Sequence, residues 1–292
     1  MSFVRKVTLA LVASALLAAC SALRVAYDNA DGLLRWRATS YLDVHGAEAD
    51  ELDRAIDEFL VWHRSHALPE YSRIANDAAQ RLARGLSRED LVWGYDSLVT
   101  QARESLRVAA ARIAPLLDRL NEEQIEHIES RFAEDNRKFA REYLRGSERE
   151  RRARRLKRNV ERMEDWVGRL SNEELERVKR YSARAPVFDE QRDRERRRLQ
   201  AEFLSIVRAR EARRRLPDMA ANWDRGRDAE YRAANETLFH EYYAMVLDVD
   251  RLLSAEQRAN AVARLRDFAD EFTALAEPGA GRRAPQPVND PQ

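Results

Sequence analysis

Apolar residues recur three and four positions apart along almost the whole of this 292-residue chain, a spacing that commits it to packed α-helices. One stripe runs Leu91, Tyr95, Leu98, Ala102, Leu106, Ala109, Ile113 and Leu116, and another runs Tyr231, Ala234, Leu238, Tyr242, Met245, Val249 and Leu252. Shorter stripes join Ile125 to Tyr143, Leu156 to Leu170 and Val262 to Leu275. No segment makes a convincing strand. Pro69, Gly85, Gly146, Pro186 and Pro217 fall between stripes, where a helix must stop or begin, and Pro115 lies near the end of its own stripe. Charged residues make up 35% of the chain, above the ~25% usual in soluble domains, which suits long solvated helices. The expected fold is therefore all-α: an elongated bundle of about seven to nine helices, with its helical body over residues 46–276. Residues 277–292 turn to Pro, Gly, Arg and Asn without periodicity and are expected to be a disordered tail.

The first twenty residues follow another pattern. Arg5 and Lys6 precede an apolar run from Val7 to Leu17 that is too short to cross ~30 Å of hydrocarbon, as in a signal peptide. Leu17-Ala18-Ala19-Cys20 resembles the bacterial lipobox: an apolar residue, two small ones that fit a peptidase cleft, and a thiol that can be acylated. Residues 1–19 are read as a lipoprotein signal peptide, Cys20 as the lipidation site and residues 20–45 as the lipidated N-terminal segment. Cys20 is also the only cysteine, which excludes a disulfide framework and a cluster of thiolate metal ligands. Each buried methylene of the acyl chains stabilises attachment by ~0.8 kcal/mol, so several chains make it effectively permanent. Ser21 and Ala22 follow the cysteine with no aspartate to retain the chain at the inner membrane. The expected address is the outer membrane, on its periplasmic face.

Four segments share one local signature. Leu86 to Asp90, Leu120 to Gln124, Leu170 to Glu174 and Leu253 to Gln257 each place Ser or Asn three residues before a polar acceptor. Such capping boxes satisfy orphan amides at the start of a helix. The preceding leucine can pack on the fifth residue after it, and Leu91, Ile125 and Leu175 supply that apolar partner, whereas Arg258 does not.

Two resemblances add to this reading. The pattern Leu-Ser-x-x-Gln, complete at Leu253 to Gln257 and partial in the other three copies, resembles the repeated motif of the Spy and CpxP group of periplasmic chaperones. Those are small all-α proteins that hold unfolded clients. The stretch from Cys20 to Ala30, with Leu33-Leu34-Arg35-Trp36 and Tyr41-Leu42-Asp43, is similar to the start of a family of uncharacterised bacterial lipoproteins, and this likeness continues through the helical body. That resemblance implies a helical, periplasm-facing lipoprotein and no reaction. Leu23, Tyr27, Leu33, Leu34 and Trp36, crowded beside the lipid, should fold back on the body or lie at the headgroups.

Nothing in the sequence points to catalysis. Glycine-rich phosphate loops, a nucleophile elbow, HExxH and a dinucleotide fingerprint are all missing. His63, His66 and Glu70 have a spacing that could align them on one helical face, but Pro69 is expected to end that helix first, so no metal site is assigned. His127 and His240 sit among glutamates on what reads as a solvated face. The chain is expected to be no enzyme, to need no cofactor and to bind no nucleic acid. Its formal charge is only +1, falling to −1 (50 basic against 51 acidic) once Arg5 and Lys6 are cleaved away. Arginines nevertheless dominate from Arg145 to Arg162 and from Arg192 to Arg215. Many can pair with acids a turn away, as Glu150 with Arg154; an electropositive surface including Arg194, Arg197 and Arg198 is the sharper alternative. The expected function is that of a lipid-anchored, binding or chaperone-like envelope protein whose partners are the membrane, through Cys20, and unfolded proteins or another envelope protein. The alternative is a structural or assembly lipoprotein with a fixed partner.

Overall fold

A computed structural model describes Tyr27 and residues 29–277; Cys20, the signal segment and all but the first residue of the 277–292 tail lie outside the described residues. Ten continuous helical runs and no strand occur among the described residues, slightly more than the seven to nine expected. In chain order they are α1 (Ala30–Leu42), α2 (47–83), α3 (Arg88–Leu117), α4 (122–144), α5 (Glu148–Val167), α6 (Asn172–Arg184), α7 (Asp189–Arg208), α8 (Ala212–Ala221), α9 (Ala229–Asp250) and α10 (Ala255–Ala276).

Two of the prolines behave differently from expectation. Pro69 does not end a helix, because α2 carries a π-helical turn at His63–Ala67 just before it. There the Leu68 amide bonds to the His63 carbonyl five residues back. The wider turn shifts the hydrogen-bond register ahead of a residue that has no N–H to give and whose ring would crowd the carbonyl four residues earlier. Pro217 likewise lies inside α8, and Pro115 lies in the last turn of α3. Gly85, Gly146 and Pro186 do fall at breaks between helices.

All four expected capping boxes are formed, at Ser87, Asn121, Ser171 and Ser254, and a fifth, Ser147 with Glu150, opens α5. What closes each box depends on what lies beyond it. Gln257 accepts from the Ser254 amide through Oε1 (2.9 Å), and its Nε2 donates to Glu174 Oε2 at 3.0 Å. Gln124 does the same between the Asn121 amide and Glu48. An amide can accept at one end and donate at the other, so glutamine closes a box that must also meet a carboxylate. Asp90 closes the Ser87 box facing cations instead, and accepts from Arg81 and Arg84.

Asp90 is buried, and burial by itself would raise its pKa. The Ser87 amide and hydroxyl together with the Arg81 and Arg84 guanidinium groups outweigh that effect and hold it at about 2. A carboxylate held below its ordinary value of about 3.9 contributes stability that is complete above that pH and is lost as pH falls toward the folded value. Asp90→Asn should therefore flatten the fall in stability between about pH 4 and pH 2, followed by urea midpoints at several pH values. Equal slopes in the two proteins would refute the assignment.

Two apolar clusters organise the packing. The first gathers Leu42 of α1 and Val44 just after it, Leu52 and Ile56 of α2, Ala114, Leu116 and Leu117 of α3, Ile125 and Ile128 of α4, Ile206 of α7 and Leu216 of α8. In the second, Val178 and Tyr181 of α6 meet Met245 and Val249 of α9, with Leu156, Val160 and Met163 of α5 packed against them. The C-terminal half of α2 lies along α10, where Ala75, Ala79, Ala261 and Ala269 are buried and Ser72 shares a 2.9 Å hydrogen bond with Thr273. Small residues at these positions let the two backbones approach closely. α3, 30 residues and so roughly 45 Å long, ends in the first cluster while Tyr95 near its start stacks edge-on against Phe239 of α9.

Candidate functional site

On α5, Arg151, Arg155, Arg158 and Arg162 are spaced four, three and four residues apart, which sets four guanidinium groups along one helical face. That face forms one wall of a groove of about 380 Å³. Tyr181 of α6, the Val187–Asp189 connection, Arg192 of α7, and Tyr231 and Leu238 of α9 complete it, and Tyr143 closes one end. The two arginine-rich runs thus meet, through α5 and the start of α7, with Asp189 the only acid in the lining.

The arginines there have different duties. Arg151 pairs with Glu190 at 2.8 Å. Arg155 forms no ion pair with a described residue; it donates to the carbonyls of Ser182 (2.8 Å), Ala185 (2.7 Å) and Pro186 (2.6 Å), a cation at the C-terminal end of α6 where the helix dipole favours it. Burial lowers its pKa from the ordinary arginine value, and burial also raises those of Tyr181 and Tyr231. The tyrosines consequently stay neutral hydroxyl donors at any physiological pH. The Nε–H groups of Arg151 and Arg155 are buried with no hydrogen-bond partner among the described residues. Arg158 lies over the Tyr143 ring at 5.6 Å, Arg162 is exposed, and neither forms an ion pair with a described residue. Arg192 pairs with Asp189 at 3.4 Å and lies over Tyr143 and Phe139.

A second groove of about 330 Å³ also borders α9, lined almost wholly by apolar atoms, including Leu82, Leu86, Leu91, Trp93, Tyr95 and Phe239. The two are linked by an edge-on contact between Tyr181, in the arginine groove, and Tyr242, in the apolar one, with centroids 5.8 Å apart. An arginine-lined surface and an apolar one thus meet along α9, whose Tyr231 and Leu238 line the first and whose Phe239, Tyr242 and Tyr243 line the second.

The remaining candidates are committed elsewhere. Arg194 pairs with Glu230, Arg197 with Asp193, and Arg198 with Glu195 and Glu202, the last three acids each within a turn of their arginine, so these charges are neutralised in place and do not form the positive surface that stood as the alternative. Glu150 and Arg154, by contrast, are not hydrogen-bonded to each other: Glu150 turns back to the Ser147 amide and Arg154 donates to the Arg145 carbonyl, acting on Glu150 only through its charge. His63 Nδ1 shares a 2.9 Å hydrogen bond with the Tyr27 hydroxyl, and desolvation lowers its pKa. His66 stacks on Trp62, and Glu70 accepts from Arg73 at 2.9 Å. Among the described residues no three His, Cys, Asp or Glu side chains are grouped to hold a metal ion. His127 Nε2 donates to the Ser40 carbonyl oxygen at 3.0 Å, and His240 is exposed. The α5 stripe is the feature that motif reading missed. Its signal was the spacing of the arginines themselves.

The model of a family of unknown function, DUF6279, matches residues 40–232. The chain belongs to that family. The DUF6279 segment contains every arginine of the groove together with Tyr143, Tyr181 and Tyr231, and it stops short of Leu238 and of α10. No curated protein and no solved structure matches the chain.

Proposed function

We propose that the mature chain is a lipid-anchored protein of the cell envelope, tethered through acylated Cys20 to the periplasmic face of the outer membrane, that binds partner polypeptides in the manner of a chaperone. The observation that carries this reading is the pair of neighbouring grooves that border α9: one lined by arginines, of which Arg158 and Arg162 have no ion-pair partner among the described residues, and one apolar. An unfolded chain offers both acidic and apolar side chains, and guanidinium groups not already neutralised by nearby acids can accept the former at little cost. The Leu-Ser-x-x-Gln resemblance supports the same class of function.

Binding of this kind should be broad and should associate more slowly as salt rises, because screening shortens the reach of the arginine field to ~8 Å at physiological ionic strength. In a light-scattering assay with a denatured acidic test protein, the chain should slow aggregation at low salt, and Arg158→Ser with Arg162→Ser should lose most of that effect. The triple change of Arg194, Arg197 and Arg198 to Ser should lose far less, since those charges are already paired. Aggregation at one rate with and without the protein, at every salt concentration, would remove the chaperone reading in favour of a structural lipoprotein with a fixed partner.

A further inference from the structure

Apolar side chains lie on both sides of α1, and the body accounts for one side only. Leu34 and Ala38 line an apolar groove of about 290 Å³ with Leu52, Ile56, Phe59 and Leu106. Leu42 is buried in the first cluster, and Arg35 pairs with Asp53 at 3.0 Å and with Asp57, both on α2. These contacts fix how α1 lies against α2. Leu33 and Trp36, three residues apart and therefore neighbours on the helix surface, are 60% and 66% exposed. Arg37 beside them is also exposed.

The place of this face in the chain gives it an occupant. Tyr27 is held on α2 by its bond to His63, and Cys20 is only seven residues earlier. Seven extended residues reach at most roughly 25 Å, and α1 itself, with 13 residues, is about 20 Å long. A bilayer carrying the acyl chains of Cys20 can therefore be no more than about one α1 length further away than that reach. Tryptophan suits the headgroup region, where its ring is half in hydrocarbon and its N–H meets polar groups, and an arginine there keeps its head in water while its stem lies on the lipid. We infer that the Leu33 and Trp36 face of α1 lies on the surface of the membrane to which the chain is tethered, and so fixes the orientation of the body on it. This rests on the anchoring at Cys20 proposed above.

The test uses the full-length protein purified from membranes and reconstituted into phosphatidylethanolamine and phosphatidylglycerol vesicles whose acyl chains are brominated. Mass spectrometry of the N-terminal peptide reports whether Cys20 is acylated. With acylation present, tryptophan fluorescence should be quenched by the bromines, and Trp36→Phe, which leaves the other four of five tryptophans, should lose most of the quenching. Leu33→Asp keeps all five tryptophans and should cut the quenching at least twofold. Equal fractional quenching in wild type and Trp36→Phe, or no quenching in an acylated protein, overturns the inference while leaving the anchor intact. A peptide without acyl chains overturns the anchoring itself, and the inference with it.

Discussion

Replacing Cys20 by alanine is expected to leave the protein without acyl chains and to move it from the membrane fraction to the soluble one. Among the described residues no helix is long and apolar enough to cross a membrane, and the chain has no other cysteine to acylate. With each methylene contributing ~0.8 kcal/mol, losing several chains removes tens of methylenes at once. The surface contact proposed for Leu33 and Trp36 is far too small to compensate. Metabolic labelling with a fatty acid, followed by detergent partitioning, reads both effects. Label on the mutant, or unchanged partitioning, would refute the lipoprotein reading.

Asp250→Ala is expected to be the most destabilising single change in the helical body. Asp250 is buried at the end of α9, where Oδ2 accepts from the Leu86 amide at 3.0 Å and Oδ1 from Arg258 at 2.7 Å. Arg258 also donates to the carbonyls of Leu82 (2.7 Å) and Asp250 (2.6 Å). One ion pair thus joins the end of α2, the turn into α3, the end of α9 and the start of α10. Removing the carboxylate leaves a largely buried guanidinium uncompensated and a backbone amide without its partner, at a cost of about 3–5 kcal/mol. For a body of this size that corresponds to a fall in Tm of roughly 6–20 °C. Asp250→Ala combined with Arg258→Met, which removes both charges, should recover part of the loss. Thermal unfolding of the three proteins measures this, and a single-mutant loss below about 1 kcal/mol would show that the pair carries little.

The same pair explains the one capping box whose following position did not fit. Leu91, Ile125 and Leu175 are apolar at the place where the leucine ahead of a cap finds a neighbour, but Arg258 is not, because that position in α10 faces Asp250. The cap at Ser254 was legible from four consecutive residues, since the two bonds of a capping box join groups three apart in the chain. The reason for the arginine lay 8 residues away in Asp250 and 176 away in the Leu82 carbonyl. Pro69 shows the same division. Its missing N–H predicts a break, and only the π-helical turn at His63–Ala67, set among the packed rings of Phe59, Trp62 and Tyr71, let the helix pass.

For the arginines the division decides the functional reading. Their abundance and the stripe Arg151, Arg155, Arg158 and Arg162 are properties of the sequence, as are the helical periodicity, the caps and the lone Cys20. Which of those arginines are already neutralised is not. Arg194 is paired because Glu230, 36 residues on, is brought to it by α9, whereas among the described residues no acid is brought within ion-pair distance of Arg158 or Arg162, and α6 and α9 bring Tyr181, Tyr231 and Leu238 to the same groove. Helical periodicity and capping are settled by residues within one or two turns, so sequence alone determined them. Charge compensation and groove shape depend on which helices meet, and that was decided by burial of the two apolar clusters, which no local pattern encodes.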